Sequence, residues 1–215
     1  MLWKLLGAWI HAAYKMETLF VARYWIGKFA RAGARVSIGR DFQAYHPDCI
    51  HVGNDVSIAH RVTLRAIRSY PWTTPPQSFS PRMVIGDGCF INNGSQIACV
   101  GEVIVGRNVM IAENCFLSDH NHEYSDPGKS IKEQPLTAGG RLTIGDDTWI
   151  GAGCCVAGGR TIGTHCVIGA NSVVTTDVPD FSVAAGVPAR ILRRYDTALG
   201  QWVRPDSDRP DSEQR

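Results

Sequence analysis

Apolar and small residues recur along most of this chain with a period of six. From Ile144 an aliphatic residue stands at every sixth position: Ile144, Ile150, Val156, Ile162, Ile168 and Val174. Gly or Ala follows each of the first five, as Gly145, Gly151, Ala157, Gly163 and Gly169. Four residues after each aliphatic one comes a second slot, filled by Thr148, Cys154, Arg160, Cys166 and Ser172, all small except Arg160. The same register runs through 85–91, 105–111 and 52–58, and more faintly around Ile38-Gly39. Six fits neither the 3.6 of a helix nor the plain alternation of a half-buried strand. It predicts short strands that each point one aliphatic residue inward and then turn at a small residue. Stacked, such turns bury a continuous aliphatic column in which each coil contacts only its neighbours.

Two segments break the period. Residues 66–82 are rich in Pro, Ser and Thr, and residues 118–141 carry Gly, Pro and charge. Both read as loops thrown out from a rigid coil, where binding and catalytic groups concentrate. The chain ends differ again. In residues 2–30, Leu2, Leu6, Ile10, Ala13, Met16, Phe20 and Tyr24 step by threes and fours, the pattern of an amphipathic helix or helix pair. Lys4, Lys15, Arg23 and Lys28 face Glu17 alone, so two readings stand: a helix capping the open coil, or a basic surface resting on an anionic membrane. The pattern divides the chain into a helical segment at 1–35, a coil at 36–195 and a polar tail at 196–215. The tail's last dozen residues have no apolar content and are expected to be disordered.

Composition narrows the class. A chain of 215 residues suits one well-buried domain. With 22 Gly, 11 Pro and 20% charged residues it is turn-rich and globular. Lys and Arg total 22 against 20 acidic residues, a net +2 that argues against nucleic acid as a partner. Seven cysteines with no CxxC pair form neither a disulfide framework nor a zinc knuckle, which favours a reducing compartment. No apolar run reaches the roughly 18–20 residues of a membrane span. The opening residues are interrupted by Lys4, His11 and Lys15 and lack a signal-peptide cleavage site. A cytoplasmic protein is expected, with peripheral contact at the inner membrane face if the helix is the membrane-binding kind. Cys89, Cys115, Cys154 and Cys166 occupy the small second slot and are expected to be packing residues. Cys49, Cys99 and Cys155 fall outside it, and Arg160 is large for its slot, pointing to solvent or to a neighbouring subunit.

The tandem aliphatic-Gly-x-x-small-x pattern, the His-bearing loop and the closing Val183-Ala-Ala-Gly-Val-Pro-Ala-Arg-Ile191 resemble the bacterial hexapeptide-repeat acyltransferases. Within that family the pattern is similar to the galactoside and maltose acetyltransferases and the polysaccharide O-acetyltransferases. The resemblance spans roughly 36–195 and is strongest over 105–195, where Trp149-Ile-Gly-Ala and Gly169-Ala-Asn-Ser-Val-Val-Thr-Thr-Asp also match. It implies an all-β fold: a single-stranded left-handed parallel β-helix with an N-terminal helical segment and a short C-terminal helix. It also implies a homotrimer with acetyl-CoA in the cleft between subunits, no metal, and a carbohydrate acceptor.

Moving an acetyl group from a thioester to a sugar hydroxyl needs a general base, and an imidazole titrating near neutrality suits that task. No covalent intermediate is required when donor and acceptor are held together, in keeping with cysteines that only pack. The loop offers His120 and His122. Counted without gaps from Gly106 through Asn114, His122 falls at the family's catalytic histidine, whereas His120 needs a two-residue gap. Residues two apart in an extended segment point the same way, so both stay candidates, with Asp119 or Glu123 available to orient a ring.

By the same resemblance Asn92 matches an asparagine that binds the acceptor sugar, with Asn93 adjacent. Trp149, Ala152, Ala170, Thr175, Thr176, Arg190 and Arg193 match positions lining the coenzyme A groove, where the arginines would pair with phosphates. Thr176 departs from the lysine common in sugar acetyltransferases. The rivals are an N-acetyltransferase of an amino sugar, an acetyltransferase of a small xenobiotic, and a non-catalytic β-helix scaffold. A zinc site like that of the γ-class carbonic anhydrases, which share this coil, would need His-x4-His, and the loop offers His-x-His.

Overall fold

The computed structural model describes residues 16–137 and 140–205. The period of six becomes a coil of three parallel sheets. Each turn visits sheet 1, then sheet 2, then sheet 3, and returns to sheet 1 one level along. Sheet 1 stacks Arg31–Ala32, Ile50–Val52, Arg82–Ile85, Glu102–Val105, Arg141–Ile144 and Thr161–Ile162. Sheet 2 stacks Ser37–Ile38, Ser57–Ile58, Phe90–Ile91, Met110–Ile111, Trp149–Ile150 and Val167–Ile168. Sheet 3 stacks Gln43–Tyr45, Thr63–Ala66, Gln96–Cys99, Phe116–Ser118, Cys155–Val156 and Val173–Val174.

The aliphatic residues form ladders in exact-level register down the interior. On sheet 2 the column is Ile38, Ile58, Ile91, Ile111, Ile150 and Ile168. On sheet 3, Leu64, Ile97, Leu117, Val156 and Val174 lie level. All of these are 2% exposed or less. With aliphatic faces turned inward on all three sides, burial of this column is the main stabilising term.

The second slot proves to be a hydrogen-bonding position as well as a small one. Ser95 Oγ donates to the carbonyl of Ala112 at 2.8 Å, and Thr148 Oγ1 to that of Gly163 at 2.8 Å. The thiols of Cys89, Cys115, Cys154 and Cys166 reach carbonyls one level along, on Gly106, Gly151, Gly169 and Pro179, at 3.0–3.1 Å. Burial pushes the Cys89 thiol up to about 11 and raises the other three as well, so each keeps the proton that it donates. Arg160 follows the same logic by other means. Its guanidinium donates to the carbonyls of Thr175, Gly158 and Gly159, stapling one corner to the next. Cys99 is fully buried at the end of its strand, and Cys155 sits half-buried between Phe116 and Val173.

Three expectations for the chain ends need correction. The coil begins at Arg31, five residues before position 36, because Arg31–Ala32 pairs with Ile50–Val52. The short helix expected at the C-terminal end is a strand: Ala189–Asp196 runs antiparallel to Ser182–Gly186 and pairs with Gln201–Val203. The tail beyond 196 is therefore ordered through Val203, held by Tyr195 and Trp202 at 5.5 Å between ring centroids. Its last ten residues, 206–215, lie outside the described residues, as do 1–15.

Residues 16–26 are helical. The helix caps the first coil, but through a different face from the column that the spacing picked out. Ala22 and Phe29 are buried, and Trp25 stacks edge-on to Phe42 at 5.3 Å. Met16, Phe20 and Tyr24, the described members of the predicted column, are 57–69% exposed, as is Leu19. No described helix is long and apolar enough to cross a membrane.

Candidate functional site

Both loop excursions leave the coil at the same edge, the corner between sheet 3 and sheet 1. The first departs after Thr63–Ala66 and returns at Arg82–Ile85; the second departs after Phe116–Ser118 and returns at Arg141–Ile144. Between them lies one tight corner, Val100-Gly101, so the two excursions bracket a single level and meet above it. Gln77 stitches them together: its Nε2 donates to the Leu136 carbonyl at 3.1 Å and its Oε1 accepts the Leu136 amide at 2.7 Å. The Tyr70 hydroxyl adds a bond to the Lys132 carbonyl at 2.5 Å. Within the second loop, buried Gln134 accepts the Asp126 amide and donates to the Asp126 and Lys129 carbonyls.

The root of the second loop is held by Asp119. Its side chain is fully buried. The carboxylate accepts the amide of Val100 at 3.0 Å and that of Gly101 at 2.8 Å, capping the tight corner below. It also lies 2.8 Å from His120 Nδ1, with Ser118 Oγ 3.1 Å from the same nitrogen. A carboxylate only accepts, so Nδ1 carries the proton and a neutral His120 ring keeps its lone pair on Nε2. The return of the loop is equally tight. A Cβ on Gly140 would meet the Asp119 carbonyl at 2.5 Å, and Gly159 has φ +68 with its would-be Cβ 2.6 Å from Gly140 Cα. Only glycine allows these strands of backbone to pass.

His122 is placed differently. It bridges to Leu136, is exposed, and sets its ring edge-on to Tyr70 at 5.6 Å between centroids. With Tyr70, Trp72, Ile131 and Lys132 it lines an open pocket of about 430 Å³ where the excursions converge. His120, by contrast, is only 12% exposed at the side chain. The two imidazoles thus share a loop and differ in environment: one is anchored at the root, the other presented at the mouth. Glu123 takes no part in orienting either ring among the described contacts; its amide bonds the Pro135 carbonyl at 2.8 Å. No group of three or more His, Cys, Asp or Glu that could hold a metal ion occurs among the described residues.

The remaining candidates fall on two other parts of the surface. Asn92 lies at the corner between sheets 2 and 3, the opposite edge of sheet 3 from the histidines. Its Nδ2 donates to Glu113 at 2.6 Å and its Oδ1 accepts the Asn93 amide at 2.8 Å. Asn93 is taken up in the coil, its Oδ1 accepting the His60 amide at 3.0 Å. Ala152 and Ala170 occupy the same corner higher up, and the Ala152 carbonyl accepts the Asn171 amide at 2.8 Å. Trp149 is 48% exposed on the outer face of sheet 2, level with Met110 and Val167.

At the C-terminal end, Thr176 and Arg190 share a cavity of about 480 Å³ with Asp177 and Arg194. Asp177 Oδ1 is already engaged by the Thr161 amide at 2.8 Å. Thr175 is exposed beside it and gives its carbonyl to Arg160. Arg193 does not line this cavity. Arg194, four residues on from Arg190, lines it instead. The resemblance did not single out Arg194, and the segment from Ala189 carries no period that would have marked it.

Within one chain the structure therefore brings His120 and His122 together and Thr176 with Arg190, but leaves Asn92 apart from the histidines. The sheet 3 strands that lie between the two edges are three to four residues long, about 10–13 Å at 3.3 Å per residue.

Comparison with known proteins points the same way as the repeat. Residues 142–176 match the model of the bacterial transferase hexapeptide (six repeats). WbbJ of Escherichia coli (strain K12), named as a lipopolysaccharide biosynthesis O-acetyl transferase, is 36% identical over 54% of this chain and 62% of its own. The galactoside O-acetyltransferase of the same organism is 37% identical over 57% of this chain and 60% of its own. The chain thus spans about three fifths of the length of these relatives. Among solved structures, AntD, an N-acyltransferase from Bacillus cereus in complex with dTDP and 3-hydroxybutyryl-CoA, superposes with a TM-score of 0.65 at 20% identity. That match covers 80% of this chain and 86% of AntD and bears on the fold alone. By its repeat, its coil and these relatives, the chain is similar to the bacterial hexapeptide-repeat acyltransferases.

Proposed function

We propose that this protein is an acetyl-CoA-dependent O-acetyltransferase that acylates a carbohydrate hydroxyl, with His122 as general base. The observation that carries the reading is the placement of His122. It is the imidazole exposed in the pocket where the two excursions meet, and a base must reach the proton that it takes. The acceptor hydroxyl loses its proton to the ring as its oxygen attacks the thioester carbonyl. The carbon–sulfur bond then breaks, and the imidazolium returns the proton to the departing thiolate, leaving a sugar acetate and the free thiol of coenzyme A. Asp119 and His120 hold the root of the loop and so fix where His122 stands.

The coil is read as left-handed and the working unit as a homotrimer. The division of the site supports this: Asn92, proposed to bind the acceptor, and His122 lie on opposite edges of sheet 3, and a neighbouring copy would bring one edge against the other. The exposed apolar ladder of Phe90, Met110 and Trp149 on sheet 2 is the surface such a copy would cover. Coenzyme A would lie along Trp149, Ala152 and Ala170. Arg190 and Arg194, with Thr175 and Thr176, are placed to take its phosphates by charge-assisted hydrogen bonds. A cytoplasmic site of action is proposed, with the exposed Met16, Leu19, Phe20 and Tyr24 resting on the membrane when the acceptor is lipid-linked.

The test is acetyl transfer to a panel of soluble and lipid-linked sugars. His122→Ala should lower turnover by about 10²–10⁴-fold, the range of a lost general base, with His120→Ala the milder change. The reverse order would move the base to His120. Transfer confined to amino sugars would replace O-acylation by N-acylation. Mixing Asn92→Ala with His122→Ala subunits should restore part of the activity, since some mixed interfaces would carry both residues; no recovery would refute the shared site.

A further inference from the structure

We propose that Lys132 and Trp72 form an anion subsite, so that the acceptor glycan carries an acidic group, a carboxylate or a phosphate, next to the hydroxyl that is acylated. This rests on the acetyltransferase reading and refines its acceptor. Lys132 Nζ sits over the Trp72 ring at 3.5 Å from the centroid. The Trp72 side of the contact is 53% exposed, so the indole holds the ammonium in place without burying it. Cation–π contact of this kind fixes a cation while leaving its N–H groups free to bond elsewhere. No carboxylate lies within ion-pair distance of Lys132 among the described residues, whereas nearby Lys129 is paired with Asp126 at 3.2 Å. The pocket lining of Tyr70, Trp72, His122, Ile131 and Lys132 contains a cation, an imidazole and no acid.

The backbone beneath is built to keep this cation where it is. The Tyr70 hydroxyl clamps the Lys132 carbonyl, and Gln77 fixes the two excursions to each other a few residues on. Lys132 and Trp72 come from different excursions, so their contact exists only when both loops are docked. An ammonium held at the rim of a pocket with apolar walls attracts an anion more strongly than one free in water, because the walls lower the local dielectric. A neutral sugar would leave that charge unanswered, while an acidic one would be drawn in and oriented with its hydroxyl toward His122.

The experiment compares kcat/KM for acetyl transfer from acetyl-CoA to three acceptors of the same ring geometry: methyl galactoside, methyl galacturonide and galactose 1-phosphate. The protein is expected to favour at least one acidic acceptor over the neutral one by about tenfold, a preference that weakens as salt rises. Which acidic acceptor wins separates carboxylate from phosphate. In Lys132→Met the ratio of acidic to neutral should fall to within about twofold of one, and Lys132→Arg should keep it. Thermal melts of each variant check that the loops remain folded. Equal rates with neutral and acidic acceptors, or a preference that survives Lys132→Met, would overturn the subsite while leaving acetyl transfer standing. No transfer to any sugar would overturn the acetyltransferase reading and the subsite with it.

Discussion

The body of the coil and the edge between sheets 3 and 1 are built on opposite plans. In the body each contact is one of a series: an aliphatic residue above its like, and a hydroxyl or thiol bonded to the next carbonyl along. At the edge each contact occurs once. Asp119 caps one corner, Gln77 joins one pair of loops, and Gly140 and Gly159 permit one close passage. A repeated contact makes a rigid frame whose stability is shared among neighbouring levels. A contact made once places one group, and the candidate chemistry gathers where the contacts are single.

The sharpest way to break this contrast uses two residues on one stretch of chain. Leu117 points into the core and Asp119, two residues on, belongs to the edge; both are buried. Leu117→Ala should cost about 2–5 kcal/mol, the range for truncating a buried leucine. The folded fraction should keep near wild-type turnover. Asp119→Asn should cost about 1–3 kcal/mol, since its amide group would face a backbone donor and leave it unpaired. It should nonetheless lower turnover at least tenfold, because a displacement of about 1 Å in a catalytic group is enough for that. Denaturant melts and initial rates on both variants decide the matter. If Asp119→Asn turns over like the parent protein, the edge is only structural.

That division also explains what could be read in the sequence. The coil was legible because its physics repeats: Ile144, Ile150 and Val156 announce the same inward position three times over. The small second slot was legible too, although its hydrogen bond was not, since Ser, Thr and Cys look merely small until the carbonyl one level along is in view. The edge was less legible. That His120 and His122 share a loop was plain, but that Asp119 reaches back eighteen or nineteen residues to Gly101 and Val100 depends on which corner is tight. Arg194 in place of Arg193 was not legible, because the segment from Ala189 carries no period to distinguish them. Trp72 and Lys132 lie sixty residues apart in irregular loops, and only the shared exit corner brings them together.

A middle-sized effect would sharpen the account of the second slot. If the thiol of Cys115 matters as a donor to Gly151, Cys115→Ser should be close to neutral. Cys115→Val fills the space but cannot donate, and should cost about 1 kcal/mol, the net value of one such bond. Equal stability of the two variants in urea would reduce the slot to a question of size.

The smallest effect expected lies on the outer face of sheet 1, at the feet of both excursions. Glu102 sits in register between Arg82 and Arg141, the residues at which the first and second excursions rejoin the coil. Its carboxylate takes Arg82 at 2.8 Å and Arg141 at 2.5 Å. The Arg82 hydrogen bond first, then the charge and hydrogen bond of Arg141, hold the Glu102 carboxyl below the usual carboxylate range. A carboxyl depressed on folding stabilises the fold at pH values above its unfolded titration, near 4.5, and that stability is lost as pH falls through the folded value. Both arginines are more than half exposed, so solvent screening holds the contribution to about 0.5 kcal/mol. Glu102→Gln should therefore lower the melting temperature slightly at pH 7 and flatten the acid limb of the stability curve below pH 4.5. Salt should shrink the difference from the parent protein. If the two proteins kept the same separation down to pH 3, the triad would stabilise by packing rather than by charge, and the feet of the loops would belong with the repeating body rather than with the edge.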